Sequence, residues 1–144
     1  KGVAWPNPRF MDNLDGTVTD NLTGLIWLKD ANCFGQRTWD NALSDSNGLA
    51  SGSCGLSDGS NAGDWRLPNI KELYSLVDVS EFDPALPLGH PFMYVQLGYW
   101  SSTTYVNGFE PLEEFARSQS LLGGSISYYQ KSSTAYVWPV RDPL

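Results

Sequence analysis

Hydrophobic and polar positions along this chain change period several times, and each change predicts an element. Arg9-Phe10-Met11-Asp12-Asn13 reads as a first strand, and Thr17-Val18-Thr19-Asp20 is β-branched and alternating. Asp15-Gly16 between them is a favoured hairpin pair. After a turn at Asn21–Gly24, Leu25-Ile26-Trp27-Leu28 is a short apolar run, the pattern of a strand buried on both faces. Trp39, Ala42 and Leu43 then predict a short, modestly amphipathic helix, capped by Thr38 and ending near Gly48. Residues 50–63 have loop composition.

The strongest helical signal follows. Ile70, Leu73, Tyr74 and Val77 recur at i, i+3, i+4 and i+7. Pro68 biases Leu67 toward extended backbone. Asn69 is a good N-cap, with Glu72 where a capping-box partner belongs. An extended Trp65-Arg66-Leu67-Pro68 should therefore lead into a helix reaching about Val79. Residues 80–98, broken by Pro84, Pro87, Gly89, Pro91 and Gly98, predict a long loop, and such loops are often functional.

Strands are expected at Tyr99–Thr104, Glu114–Arg117 and Ser125–Tyr129, with a loop over 105–113 and a turn at Gly123-Gly124. Ala135–Arg141 reads as one last strand, with Pro139 marking an edge or a bulge. The order predicts a single α+β domain over residues 1–144, with short helices beside an antiparallel sheet.

Composition narrows the class. A chain of 144 residues can bury one proper core. Only 17% of residues are charged, against 13% aromatic with six Trp, the look of a secreted β-rich binding domain. A net charge of −7 without a Lys/Arg run argues against nucleic-acid binding. No apolar stretch is long enough for membrane insertion. The first residues, Lys1–Ala4, carry no signal peptide, which a mature secreted chain would have lost.

Cys33 and Cys54 flank the first helix, and a disulfide between them is the preferred reading. It would contribute about 3 kcal/mol and imply an oxidising compartment: extracellular, cell surface or periplasmic. Free thiols or a metal site are the alternatives, and two Cys without a nearby His make a poor zinc site.

Candidate chemistry is sparse. With Gly16 at the sixth position of a calcium loop, Asn13, Asp15, Thr17 and Thr19 take ligand positions. Met11 and Leu22 then fall where carboxylates belong. A plain hairpin is preferred, and calcium near Asn13, Asp15 and Asp20 is kept as the one cofactor reading. Asn21-Leu22-Thr23 matches a glycosylation sequon, which turn chemistry explains equally well. His90 is the only histidine, so a Ser–His–Asp arrangement would have to use it. Glu110, Glu113 and Glu114 could supply part of a carboxylate pair, but adjacent residues on a strand point to opposite faces. No catalytic residue is assigned, and the expectation is a non-enzyme. Arg66, Arg117 and Arg141 suit bridging between strands and loops. Trp27, Trp65 and Trp138 are expected in the core, with Trp100 singled out as a ligand contact at the base of the long loop.

Arg9-Phe-Met-Asp-Asn13, Asp15-Gly-Thr-Val-Thr-Asp-Asn-Leu-Thr-Gly-Leu-Ile-Trp27, Asp64-Trp-Arg-Leu-Pro-Asn-Ile-Lys-Glu-Leu73, Tyr99-Trp-Ser-Ser-Thr103 and Val140-Arg141 occur in this order. So arranged, from about residue 9 to 141, the chain resembles the Lcl C-terminal domain-like family, a bacterial family named for a collagen-like adhesin. The resemblance implies a C-type lectin-like fold, related to the formylglycine-generating branch. That means two helices, a small antiparallel sheet joining N- and C-terminal strands, and long loops on one face. The formylglycine chemistry needs a late cysteine pair, and nothing after Cys54 is a cysteine. The resemblance also implies a sulfated polysaccharide as the adhesin's ligand, which sits poorly with a charge of −7 here.

The expectation is thus an extracellular binding or adhesion module. A neutral glycan or a cell-surface protein would meet loops 80–98 and 104–113. Phe92, Tyr94, Tyr99, Tyr105 and Phe109 lie in or near those loops; Tyr94, Tyr105 and Phe109 join Trp100 as site residues. A structural or oligomerisation domain of a larger surface protein is the second reading, and a divergent enzyme of the formylglycine-generating fold without its cysteine pair is the third. Trp65, Arg66, Leu67, Pro68 and Glu72 are assigned to holding the scaffold.

Overall fold

A computed structural model of the chain describes residues 4–105 and 114–144. The N-terminal hairpin forms where the alternation placed it, as β1 (Phe10–Asp12) and β2 (Thr17–Asp20). Asp15 shapes the turn, its carboxylate accepting from the Thr17 amide and hydroxyl. Gly16 has φ +87°, and a β-carbon there would collide with the Gly55 backbone. The turn therefore packs directly on the disulfide loop, and only glycine allows that approach. β3 (Ile26–Leu28) is buried throughout and pairs antiparallel with β2. Its other neighbour is β9 (Val140–Arg141), so this sheet runs β1-β2-β3-β9.

A second sheet contains β4 (Gln36–Arg37), β5 (Gly98–Thr104), β6 (Phe115–Ser120), β7 (Ile126–Gln130) and β8 (Ala135–Tyr136). Its order is β4-β8-β5-β6-β7, antiparallel except for the β5–β8 pair. The α+β class holds, but one sheet was expected and two are found. The single strand foreseen over Ala135–Arg141 is also divided: β8 belongs to one sheet and β9 to the other. Pro139 has no amide to donate, so the ladder cannot continue through it. Its carbonyl accepts from the Leu28 amide instead, at 3.1 Å.

Trp138 sits at this crossing with no exposed surface. Its ring meets Phe92, Tyr99 and Trp27 at centroid distances of 4.8, 5.1 and 5.6 Å. Its indole N–H donates to the Leu28 carbonyl at 2.8 Å. Trp138 therefore joins the two sheets. The main core gathers Trp27, Trp65, Leu73, Leu76 and Tyr99 around it. A smaller cluster under the first helix holds Leu67, Trp100, Ala116 and Val137.

Two helices complete the fold. α1 (Trp39–Gly48) starts at Thr38 as expected, but the Thr38 side chain makes no capping bond. α2 (Ile70–Ser75) carries both bonds of the capping box between Asn69 and Glu72. It is shorter than its periodicity suggested. The Leu76 and Val77 amides bond three residues back, which tightens the chain into a turn. The Ser75 carbonyl is taken by the Arg9 guanidinium at 2.7 Å. As a result Tyr74 faces solvent and Leu76 takes the buried place.

The Cys33–Cys54 disulfide forms, with Cα atoms 5.6 Å apart. Among the described residues, no helix is long and apolar enough to cross a membrane.

Candidate functional site

Trp65–Glu72 is built as a scaffold. Trp65 is fully buried, its indole N–H held by the Ser60 hydroxyl at 3.0 Å. The Arg66 backbone bridges Val140 in both directions, at 2.9 and 3.0 Å, tying the strand end to β9. Its guanidinium grips Glu72 with two bonds, at 2.6 and 2.7 Å. Glu72 also accepts from the Asn69 amide at 2.9 Å. Burial alone would raise the Glu72 carboxyl, but the Arg66 guanidinium and the Asn69 amide hold it below the usual range. The Glu72 carboxylate in turn raises Arg66. Leu67 and Pro68 are buried, and the Pro68 carbonyl accepts from the Ser102 amide of β5.

The other arginines vary on this theme. Arg141 pairs with the buried Asp58, whose carboxyl is lowered by Ser60 and Arg141 against the opposing effect of its burial. Arg9 forms a buried two-bond pair with Asp20, at 2.7 and 3.0 Å. Nothing in the hairpin pattern singled out Arg9, because its partner is chosen by the return of the second strand.

That pairing bears on the calcium reading. Asp20 is committed to Arg9, Asp15 to its own turn, and the Asn13 amide donates to the Thr17 and Thr19 hydroxyls. A cation would have to displace these bonds. Among the described residues, no group of three or more His, Cys, Asp or Glu is arranged to hold a metal.

His90 is half-buried and stacked on Phe92, with centroids 5.8 Å apart. Burial lowers its imidazole, so it is neutral near pH 7. Gly55-Leu56-Ser57-Asp58-Gly59 has nucleophile-elbow spacing. It lies outside any strand or helix, and its Asp58 is engaged with Arg141. No hydrogen bond among the described residues joins Ser57 to His90. Glu114 is exposed, and Glu110 and Glu113 lie outside the described residues.

The expected ligand residues separate. Trp100 has no exposed surface, and its indole N–H donates to the Arg37 carbonyl at 2.8 Å. It belongs to the core under α1, because β5 turns that ring inward and α1 covers it. Phe92 and Tyr99 are core residues too. Tyr94 is well exposed with φ +58°, in a loop that Met93 anchors to Lys29 and Ala31 beside the first sheet. Phe109 lies outside the described residues.

Among the described residues of this set, Tyr105 alone lands in an aromatic assembly outside the core. β6–β7 register places Arg117 opposite Tyr128 and Gln119 opposite Ile126, so these four share one face of the second sheet. α2 packs over part of this sheet. Beyond it, the Tyr105 and Tyr128 rings stack with centroids 4.0 Å apart and an interplanar angle of 3°. Phe115 meets Tyr128 edge-on at 5.9 Å, and the Arg117 guanidinium lies 4.6 Å from the Tyr105 ring. Next to the stack is an open depression of about 440 Å³, lined by Ile70, Thr103, Thr104, Arg117 and Ile126. Its polar atoms are partly used: Thr103 accepts from the Ile70 amide, and Thr104 from Lys131.

Sequence reasoning missed Tyr128, Arg117 and Phe115 as part of this face. The available signal was Tyr128-Tyr129 on a strand. Two neighbouring tyrosines must face opposite sides, so one of them leaves the α1 side of the sheet. Tyr129 is the one that meets Trp100, at 6.0 Å.

A second depression of about 430 Å³ lies between Asp12, Lys29, Asp30, Cys54 and Met93. The Asp12–Lys29 pair at 2.6 Å closes one wall. The family model described as Lcl C-terminal domain matches residues 16–141. Comparison with curated proteins gives no match.

Proposed function

The chain belongs to the Lcl C-terminal domain family, and on that premise we propose that it is a non-catalytic, extracellular binding module that takes a carbohydrate on the Tyr105–Tyr128 face. The family's description as a C-terminal domain fits a module carried by a larger protein. The disulfide fits an oxidising compartment.

The stacked tyrosines carry the reading. A sugar ring has an apolar face that packs on an aromatic ring and hydroxyls that need polar partners. Tyr128 is about half exposed, at 48%, and its cross-strand neighbour Arg117 also lines the adjoining depression with Thr103 and Thr104. Stacking fixes both rings before a ligand arrives. Each side chain already held in place saves about 0.5–1.5 kcal/mol of ordering on binding. With a net charge of −7, a neutral glycan is favoured over a sulfated one.

The test is a glycan array with and without calcium, followed by Tyr128→Ala on any hit. Tyr128→Ala should weaken binding at least about tenfold, or 1.4 kcal/mol, while the protein stays folded. Absence of glycan binding under both conditions would remove the carbohydrate reading, as would a Tyr128→Ala variant that binds like the wild type. Turnover in a hydrolase or oxidase panel, lost in His90→Ala, would restore an enzymatic reading.

A further inference from the structure

β7 differs from every other sheet edge among the described residues. β1 spans three residues, while β4 and β9 span two each. The side of β9 away from β3 is partly covered by the Arg66–Val140 bridge. β7 spans five residues, Ile126-Ser127-Tyr128-Tyr129-Gln130, and pairs with β6 in unbroken register. It contains no charge, no proline and no bulge, the devices that ordinarily guard an edge.

The ladder fixes which backbone groups point outward. The Ser120 amide donates to the Ser125 carbonyl, and the Lys131 amide donates to the Glu114 carbonyl. Bonding pairs alternate in an antiparallel ladder. Ser127 and Tyr129 therefore direct their backbone groups to β6, while Ile126, Tyr128 and Gln130 direct theirs away from it. The Gln130 carbonyl is engaged by the Ser133 amide in the following turn. Ile126 and Tyr128 keep outward amide and carbonyl groups without a partner among the described residues.

We propose that β7 pairs antiparallel with β7 of a second copy of this chain, about a two-fold axis through Tyr128. An outward-bonding residue stands at the middle of the strand, which makes the edge self-complementary. Tyr128 of one copy exchanges both backbone bonds with Tyr128 of the other, and Ile126 faces Gln130, whose carbonyl accepts the Ile126 amide on the lone pair that Ser133 leaves free. Each Lys131 then faces a Ser125, so no like charges are opposed despite the net charge of −7. The symmetry closes at two copies. The strand contact is small beside the roughly 1,200–2,000 Å² of stable interfaces, so the dimer is weak and depends on concentration. The pairing needs no ligand and does not rest on the carbohydrate reading.

Sedimentation velocity from micromolar to millimolar protein tests it, together with amide hydrogen exchange at both ends of that range. The sedimentation coefficient should rise toward that of a dimer. The Ile126 and Tyr128 amides should exchange more slowly at high concentration, while those of Ser127 and Tyr129 stay protected throughout. Ile126→Pro removes an outward donor without touching a β6 bond, and Ile126→Lys adds an edge charge. Either variant, folded by its melting curve, should associate at least about tenfold more weakly. A monomer throughout the range would overturn the proposal, as would protection of Ile126 and Tyr128 independent of concentration. A dimer unchanged in both variants would do the same.

Discussion

Glu72 does two jobs with one carboxylate, and replacing it separates them. Glu72→Ala removes the cap on the Asn69 amide and both bonds to Arg66. Losing a capping partner costs about 1 kcal/mol. The ion pair adds roughly 1 kcal/mol, a modest figure because the Arg66 side chain is 37% exposed and water screens it. Asp142, 3.6 Å from Arg66, can recover little of that. The expected loss is about 2 kcal/mol at pH 7, or roughly 6 °C in Tm for a domain of this size. Glu72→Gln keeps the cap and should lose about half as much.

The pH dependence gives the sharper test. Folding lowers the Glu72 carboxyl below its ordinary value of about 4.3. The unfolded chain then binds more protons than the folded one in that window. The ionic contribution is complete above the unfolded pKa and is lost as pH falls through the lower, folded one. Urea melts of wild type, Glu72→Ala and Glu72→Gln, with the disulfide intact, should therefore show wild type and Glu72→Gln converging in acid. A wild-type advantage over Glu72→Gln that persisted undiminished in strong acid would refute the ionic account. A Tm change under about 1 °C for Glu72→Ala at pH 7 would refute the structural role itself.

Asp58→Asn should destabilise the fold more than Glu72→Ala, by about 3–5 kcal/mol, because it strands the buried Arg141 guanidinium; urea midpoints measure this. Gly16→Ala should cost about 3 kcal/mol through its positive φ and its collision with Gly55, read as a drop in Tm. Cleaving the Cys33–Cys54 disulfide with a reductant should lower stability by about 3 kcal/mol, measured by urea unfolding with and without reductant.

Much of the local structure was legible in the residues. Asp15-Gly16 announced a turn, the Thr17–Asp20 alternation a strand, and Asn69 with Glu72 a capped helix. Each rests on neighbours within a few positions, where steric and hydrogen-bonding preferences act directly. The end of α2 was not legible, because Arg9, sixty-six positions away, claims the Ser75 carbonyl. The site was only partly legible. Tyr105 was chosen for its place near a loop, while its partners Tyr128 and Arg117 come from strands whose facing depends on register. Trp100 shows the reverse error: it is close in sequence to the long loop but turned inward by the sheet.

By itself, then, the sequence determined the helix cap, the hairpin turn, the disulfide candidates and a tryptophan-rich core. All of these follow from short-range geometry and the removal of apolar surface from water. Only the tertiary structure decided that the last strand divides between two sheets at Trp138 and Pro139. It also decided that two distant tyrosines stack and that β7 is left as an open edge. Those outcomes depend on which strands become neighbours, and pairing across the sheet is set by packing of the whole chain rather than by any one segment.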